Sequence, residues 1–237
     1  MGTGDLLSAI VPSWREGPRL LEAVRAIGTA LGRCEVVVTS FDERDEIRDA
    51  CRSEGVVWVD APEANRGLQL RLGAERSQGR ILAFVHADSR LPLDAGTSIR
   101  TALATDGVAG GAFRLRFDRA HPVLDFLSWA SRMTHPSAFL GDQGIFCSRE
   151  AYEAAGGFCP EPLFEDVDLA RRLARIGRLV RLPQAVTTSA RRFTSNGPLS
   201  QLTINVLLLA ARNLSTSLRQ SLREFTEQRS CFWPLLT

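Results

Sequence analysis

The first ninety residues alternate between short apolar runs and segments with helical spacing of apolar side chains, and this alternation constrains the fold more than any other feature. Residues 6–11 form a strand-like run, and the segment that starts at Pro18 carries leucine, valine and isoleucine at helical spacing until Gly32. The same order repeats twice, and a further apolar run follows at residues 81–85. This series predicts an α/β fold with a mainly parallel, Rossmann-like sheet and helices on both faces.

The second half of the chain is less regular but carries the same kinds of pattern. Residues 108–117 alternate as a half-buried strand does, and residues 145–147 form another apolar run. Helical spacing covers residues 122–133 and 165–176, after which Gly177 follows. Because the 237 residues contain no linker or repeat, we expect a single domain.

The composition excludes several kinds of chemistry. The chain contains no lysine, so it cannot use Schiff-base, pyridoxal-phosphate or P-loop mechanisms, which need a lysine amine. Its formal net charge of +2 is too small for a protein that binds nucleic acid through several phosphates. Five cysteines without a CxxC pair, and an N-terminus without a signal-peptide pattern, are typical of a cytoplasmic protein with reduced thiols.

Polar residues follow the predicted strands of the first half. Since ligands bind beyond the carboxyl ends of parallel strands, we expect a site among residues 12–16, 39–42, 60 and 86–88. His86 and Asp88 stand two positions apart after the fourth strand, and a carboxylate with an imidazole can hold a divalent cation that neutralises a leaving diphosphate. The alternative is a solvated turn in which Asp88 caps the next segment.

Three carboxylates, Glu165, Asp166 and Asp168, lie in the first turn of the helix predicted over residues 165–176. A carboxylate beside an acceptor hydroxyl can remove its proton as the hydroxyl attacks, which is general-base catalysis. The same position also favours acidic residues for a structural reason, because the helix dipole stabilises negative charge there. The residues alone leave both interpretations open.

Arginines and a glycine offer candidate contacts for an anion or a sugar. Arg66 stands at the start of a helix, where its guanidinium and the backbone N–H groups can face a phosphate. Arg191 and Arg192 form a second candidate clamp, and Gly111 permits close backbone approach to a sugar. Surface arginines and a glycine bulge are the ordinary alternatives.

Seven short motifs stand in a characteristic order along the chain. They are Ile-Val-Pro-Ser-Trp-Arg-Glu at 10–16, Asn-Arg-Gly-Leu-Gln-Leu at 65–70, His-Ala-Asp-Ser-Arg-Leu-Pro at 86–92, Gly-Gly-Ala-Phe-Arg-Leu at 110–115, Gly-Asp-Gln-Gly at 141–144, Phe-Glu-Asp-Val-Asp-Leu at 164–169 and Thr-Ser-Ala-Arg-Arg at 188–192. In this order they resemble the family 2 glycosyltransferases of the GT-A fold. Within that family the chain is most similar to a small bacterial subgroup associated with radical-SAM and selenium-domain or arsenosugar gene contexts.

The resemblance implies a metal-dependent glycosyltransferase that moves a sugar from a nucleotide-sugar donor, with a UDP-sugar favoured and the acceptor unknown. It places Mg²⁺ or Mn²⁺ on Asp88, with His86 where the family often has another aspartate. Asp166 matches the base of an inverting transfer, and Glu165 beside it is the second catalytic candidate. The domain would then consist of a nucleotide-binding half, about residues 1–92, and a smaller acceptor half, about residues 93–197.

The resemblance also implies a donor site. Pro12 and Glu16 match the loop that contacts the nucleotide, and Arg66 matches an arginine near the base or the diphosphate. Two features depart from the family pattern: Arg15 replaces a common asparagine, and residues 39–42 replace a stretch whose first aspartate pairs with uracil. The other positions assigned to donor binding are Thr39, Asp42 as the substitute for that aspartate, His86, Asp88, Gly111, Asp142, Arg191 and Arg192.

Two other functions stay open on the sequence alone. A nucleotidyltransferase acting on a sugar phosphate would need the same half-sheet and the same metal on a diphosphate. A catalytically silent nucleotide-binding protein would keep the fold without turnover.

Residues 199–214 have an apolar helical pattern that is too short and too often interrupted by polar residues to span a bilayer. Because its leucines and valine fall near one face, we expect this helix, part of a C-terminal helical region at about residues 198–226, to pack on the protein or on the second subunit of a homodimer. Peripheral contact with a membrane is the alternative.

Overall fold

The computed structural model of the chain describes residues 6–159 and 165–190. The strands in these ranges are β1 (Leu7–Trp14), β2 (Cys34–Phe41), β3 (Val57–Asp60), β4 (Ile81–Phe84), β5 (Ser89–Arg90), β6 (Val108–Phe117), β7 (Ile145–Ser148) and β8 (Arg178–Thr188). The helices are α1 (Pro18–Leu31), α2 (Asp45–Ser53), α3 (Arg66–Arg76), α4 (Ala95–Leu103), α5 (Pro122–Ala130), α6 (Arg149–Ala154) and α7 (Glu165–Ile176).

The strands form one sheet, which within the described ranges has eight strands in the order β3-β2-β1-β4-β7-β6-β8-β5. The first four are parallel to one another, whereas β7 runs antiparallel to both β4 and β6. β8 is parallel to β6 and antiparallel to β5. The predicted α/β fold with a parallel first half is confirmed, while the second half is mixed because β7 reverses the strand direction.

Helices cover both faces of the sheet, as predicted. Successive residues of β1 point to opposite faces, so that Ala9 and Val11 belong to one core and Ile10 to the other. The first core also receives side chains from α1, α2 and α4, including Leu20 and Ile99. The second core receives side chains from α3, α6 and α7.

β1 and β2 extend further than their apolar runs predict. Pro12 pairs with Thr39, and the ladder continues to Trp14 and Phe41. These polar and aromatic residues keep the strand conformation because parallel pairing satisfies their backbone groups. The two strands therefore carry the first predicted site residues to the carboxyl edge of the sheet.

Several predictions fall outside the described residues, namely those for Arg191, Arg192 and the helix over residues 199–214. In the part that the structure describes, no helix is long and apolar enough to cross a membrane. Four cysteines lie in that part, and all four are free thiols.

Candidate active site

The carboxyl ends of the parallel strands gather many of the predicted site residues at one edge of the sheet. Pro12 lies beside Thr39 in the strand register, and β3 ends next to them at Asp60. The turn that carries His86 and Asp88 follows β4, on the other side of β1. Since β1 stands between β2 and β4, the strand order reverses here, which is where open α/β sheets bind ligands.

A buried cluster of charged side chains forms where α3 and α7 begin. The Arg66 guanidinium donates through Nε to the Glu165 carboxylate, and its Nη2 lies 3.9 Å from Asp166 Oδ2. Glu165 and Asp166 are only 2% and 5% exposed. Because water screens these charges weakly, they interact strongly with one another.

Arg66 occupies its position because Asn65 fixes the start of α3. The Asn65 side chain accepts a hydrogen bond from Leu68 N at 3.0 Å, which satisfies one of the free N–H groups of the first turn. Arg66 is thus the first residue of the helix, as the sequence predicts, and its guanidinium pairs with the carboxylates of α7. A contact between Arg66 and a donor phosphate stays a prediction.

Asp166 is held by backbone N–H groups on both carboxylate oxygens. Oδ2 accepts from Gly141 N at 2.5 Å, and Oδ1 accepts from Val167 N at 2.7 Å. The His86 imidazole lies on the same side of Gly141: a Cβ added at residue 141 would be 2.8 Å from His86 Nε2 and 3.3 Å from Asp166 Oδ2. A side chain at residue 141 would therefore collide with the His86 imidazole.

The environment of Asp166 favours its protonated form. Burial raises the pKa of Asp166 to about 6, and the neighbouring Glu165 carboxylate acts in the same direction. The Arg66 guanidinium and the two backbone hydrogen bonds oppose this rise. A carboxyl with a pKa near 6 is ionised at neutral pH and is still basic enough to accept a proton during a reaction.

The charge on Arg66 is secure in the same environment. Burial alone would lower the pKa of its guanidinium, but the carboxylates of Glu165, Asp166 and Asp142 outweigh burial and raise that pKa above its ordinary value. Asp142 also raises the pKa of Arg181, so its carboxylate acts on both arginines. The structure therefore brings Asp142 into the same electrostatic network as the acidic start of α7.

The turn Gly141–Gln143 is held in place by Arg181, whose role the sequence did not reveal. The Arg181 guanidinium donates to Gln143 Oε1 at 2.6 Å and to Phe113 O at 2.8 Å, and it lies 4.1 Å from the centre of the Phe139 ring. Burial lowers the pKa of Arg181 to about 10. No sequence signal distinguishes this arginine from the others, because its partners come from distant segments.

Arg15 and Asp42, which both stand where the chain differs from the family that its motifs resemble, pair with each other. Arg15 donates to Asp42 Oδ2 from Nε at 2.8 Å and from Nη2 at 2.5 Å. They follow the ends of β1 and β2, and in the described ranges they are the two non-glycine residues with positive φ, 52° and 55°. Exposed ion pairs add little stability, whereas unfavourable backbone conformations of this kind concentrate at functional sites.

The Thr39 side chain packs inside the protein. Its side chain is fully buried against α3, where a Cβ added at Gly73 would lie 2.8 Å from Thr39 Oγ1. Gln69, one turn earlier on α3, donates from Nε2 to Ser13 O at 2.8 Å. Helix α3 therefore closes over this part of β1 and β2, and a donor contact of the Thr39 side chain stays a prediction.

Gly111 lies inside the sheet, between β7 and β8. A Cβ at this position would be 2.4 Å from Val180 O and 2.7 Å from the Phe146 ring. Packing alone accounts for the glycine, so its predicted contact with a sugar stays a prediction. At the other end of the site, Pro12 is buried and Glu16 is half-buried beyond β1.

The residues present fit a divalent cation that is also held by its substrate. Among the described residues, no three His, Cys, Asp or Glu side chains form a metal-binding group. Mg²⁺ commonly takes only one or two protein carboxylates and completes its coordination with substrate phosphates and water. The Asp88 carboxylate fits that number of protein ligands, while an imidazole is more typical of Zn²⁺ or iron sites, so His86 as a second ligand stays a prediction.

Comparison with known proteins gives no match by sequence and clear matches by structure. No protein-family model matches the chain. No curated protein matches it.

The matching solved structures include three sugar transferases. The mannosyltransferase PcManGT from Pyrobaculum calidifontis, in complex with GDP-Man and Mn²⁺, is 22% identical with a TM-score of 0.61, over 76% of this chain and 56% of that chain. TarS 1–349 from S. aureus, in complex with UDP-GlcNAc, is 13% identical with a TM-score of 0.59, over 77% and 58% of the two chains. Glucosyl-3-phosphoglycerate synthase from Mycobacterium tuberculosis, in complex with Mn²⁺, UDP and glucosyl-3-phosphoglycerate, is 16% identical with a TM-score of 0.57, over 86% and 79%.

The chain has a GT-A-type glycosyltransferase fold. The predicted fold class is thereby confirmed, since the mixed sheet and its two helical layers match those of these enzymes. The chain spans little more than half the length of the mannosyltransferase and of TarS 1–349. At these identities the likeness concerns the fold and not the activity.

Proposed function

We propose that this chain is an inverting glycosyltransferase that uses a nucleotide-sugar donor and Asp166 as its general base. The observation that carries the proposal is the state of Asp166: a buried carboxylate with its pKa raised to about 6, bound through both oxygens by backbone N–H groups. The surrounding protein fixes this group in place while keeping it basic, which is what proton abstraction from a hydroxyl requires. The GT-A-type fold supports the same conclusion.

In the proposed reaction Asp166 is the general base. The hydroxyl oxygen of the acceptor attacks the anomeric carbon of the donor while its proton passes to Asp166. The bond between the anomeric carbon and the diphosphate breaks on the opposite face, so that the configuration inverts and a nucleoside diphosphate leaves. A divalent cation, when bound at Asp88 and His86, supplies positive charge to that leaving group. Arg66 and Glu165 set the charge around the base.

The donor is a nucleoside diphosphate sugar, and a UDP-sugar is the first choice. Relatives of this fold were solved with GDP-Man, UDP-GlcNAc or UDP, so the fold accepts more than one base. In this chain the paired Arg15 and Asp42 stand at the ends of β1 and β2, where they are the candidates for contact with the base. Membership of family 2, and of its radical-SAM-associated subgroup, rests on the sequence motifs.

Product analysis tests the proposal directly. The purified chain and Mn²⁺ are incubated either with a panel of UDP- and GDP-sugars, where water serves as the acceptor, or with nucleoside triphosphates and sugar phosphates, and phosphorus NMR identifies the phosphate product. A glycosyltransferase releases a nucleoside diphosphate, and the Asp166→Asn variant releases it far more slowly. Pyrophosphate release from a nucleoside triphosphate and a sugar phosphate would instead identify a nucleotidyltransferase. Binding without any release would identify a catalytically silent nucleotide-binding protein.

A further inference from the structure

Two neighbouring arginines, Arg114 and Arg181, form no ion pair with any carboxylate of the described residues, in contrast to Arg66. Both side chains are half-buried. Their Nε atoms are shielded from water and donate no hydrogen bond within that part of the chain. A positive charge that is partly shielded from water is costly unless an anion balances it. The two arginines are therefore suited to binding an anionic ligand.

The two guanidinium groups lie close enough to affect each other. Arg181 on β8 pairs with Ala112 on β6, two residues before Arg114, so the two side chains start from adjacent strands. Burial is the main cause that lowers the pKa of Arg181 to about 10. The Asp142 carboxylate opposes this fall, and the positive charge of Arg114 adds to it. An anion bound beside both arginines would reduce their mutual repulsion.

Arg114 lies toward the turn that holds Asp166. β6 and β7 run antiparallel, and Gly111 on β6 is opposite the second residue of β7. The residues of β6 after Gly111 therefore extend past the start of β7 toward the turn Gly141–Gln143, which precedes that strand. Gly141 N of this turn donates to Asp166 Oδ2. An anion at Arg114 would thus lie on the same side of the sheet edge as the proposed base.

The position differs from the one proposed for the donor diphosphate. In the sheet, β7 lies between β6 and β4, and the turn after β4 carries His86 and Asp88. Neighbouring strands are about 4.8 Å apart, so β6 runs about 10 Å from β4. A nucleotide-sugar carries its negative charge on the diphosphate, which the cation at Asp88 would hold. An anion at Arg114 therefore belongs to a second substrate.

We propose that Arg114, supported by the charge of Arg181, binds a phosphate or carboxylate group of the acceptor. The inference rests on the proposed function, which requires an acceptor hydroxyl at Asp166. Arginine binds such groups through its paired N–H donors. Arg181 uses its Nη atoms on Phe113 O and Met133 O, so Arg114 makes the contact and Arg181 contributes charge. The acceptor class is then a hydroxylated molecule that carries an acidic group.

Inorganic phosphate tests this site without any enzymatic reaction. It is titrated into the ¹⁵N-labelled full chain at constant ionic strength, and NMR follows the backbone amide and arginine Nε–H signals. The parent should show saturable shifts, and Arg114→Gln should bind phosphate about tenfold more weakly or worse, the loss expected for a charged hydrogen bond. Arg114→Lys keeps the charge and should retain part of the affinity.

Arg178→Gln is the matched control, because Arg178 is an exposed arginine at the start of the same strand as Arg181. This variant should bind phosphate as the parent does. Absence of saturable shifts in the parent would overturn the proposal. Equal phosphate affinity of the parent and Arg114→Gln would also overturn it. If Arg114→Gln does not fold, the parent titration and Arg114→Lys decide.

A second titration identifies the source of the anion. With saturating UDP and Mg²⁺, phosphate should still bind to the parent, and UDP should bind to Arg114→Gln as tightly as to the parent. Displacement of phosphate by UDP would assign Arg114 to the donor diphosphate and overturn the acceptor assignment. If UDP with Mg²⁺ does not bind at all, the proposed function fails and the acceptor assignment falls with it. The first titration then still shows whether Arg114 binds an anion.

Discussion

The Asp166→Asn substitution should stabilise the protein at neutral pH while it removes the proposed base. The amide resembles the protonated carboxyl in shape and charge, and the fold prefers the protonated form because it raises the pKa of Asp166 from 3.8 to about 6. That rise corresponds to about 3 kcal/mol of unfavourable free energy in the folded state once the carboxyl is ionised. The amide also loses one of the two backbone hydrogen bonds to Asp166, which costs about 1 kcal/mol.

The sign of the effect changes with pH. The stability that comes from a raised pKa is fully present below the unfolded value near 4 and is lost as the pH rises through about 6. At pH 7.5 the variant should therefore be more stable than the parent by about 2 kcal/mol, whereas at pH 4 it should be slightly less stable, by under about 1 kcal/mol.

Urea unfolding at a series of pH values between 4 and 8 measures this difference without any substrate. Asp125→Asn is the matched control, because Asp125 is an exposed carboxylate in the first turn of α5. Asp125→Asn should show no stabilisation that grows with pH, because burial does not penalise the charge of this exposed carboxylate at a helix start. A difference between Asp166→Asn and the parent that does not grow with pH would refute the argument that burial raises the pKa of Asp166.

Three further substitutions test separate parts of the site. Glu165→Gln removes a charge that raises the pKa of Asp166, so the acidic limb of the pH–rate profile should move below pH 6; an unchanged limb would contradict this coupling. Arg181→Met leaves the 141–143 turn without its guanidinium and should cost roughly 2–4 kcal/mol in urea unfolding, since several partly buried hydrogen bonds are lost at once. Gly111→Ala brings a Cβ against Val180 O and should cost roughly 1–3 kcal/mol; parental stability would mean that the sheet can open there.

Local patterns predicted the first half of the fold well and the second half only in part. α1 and α7 end where the sequence predicts because a glycine follows each one, at Gly32 and Gly177. α4 is not predicted because its apolar residues are few and the preceding strand β5 has only two residues. Strand β8 contains Pro183, and a proline interrupts the usual strand pattern. Pro183 lies where the pairing register between β8 and β6 shifts.

The sequence predicted the location of those candidate site residues that directly follow a strand. His86 and Asp88 could be placed because parallel strands bring their carboxyl ends to one edge. The pairing of Arg66 with Glu165 could not, because the two residues are 99 positions apart and meet only when α3 and α7 pack on the same face. An arginine at a helix start suggests an anion, and here the anion is a carboxylate of the protein itself.

The central claim is that Asp166 takes the proton and does not hold the donor. Two measurements on the same samples test it together: donor affinity with Mn²⁺ by calorimetry, and single-turnover release of the nucleoside diphosphate. Asp88→Asn serves as the contrast, because loss of a metal ligand should weaken binding and rate together. Asp166→Asn should bind the donor as the parent does and release product about 10²–10⁴-fold more slowly. Release at the parental rate from Asp166→Asn would contradict the assignment of the base.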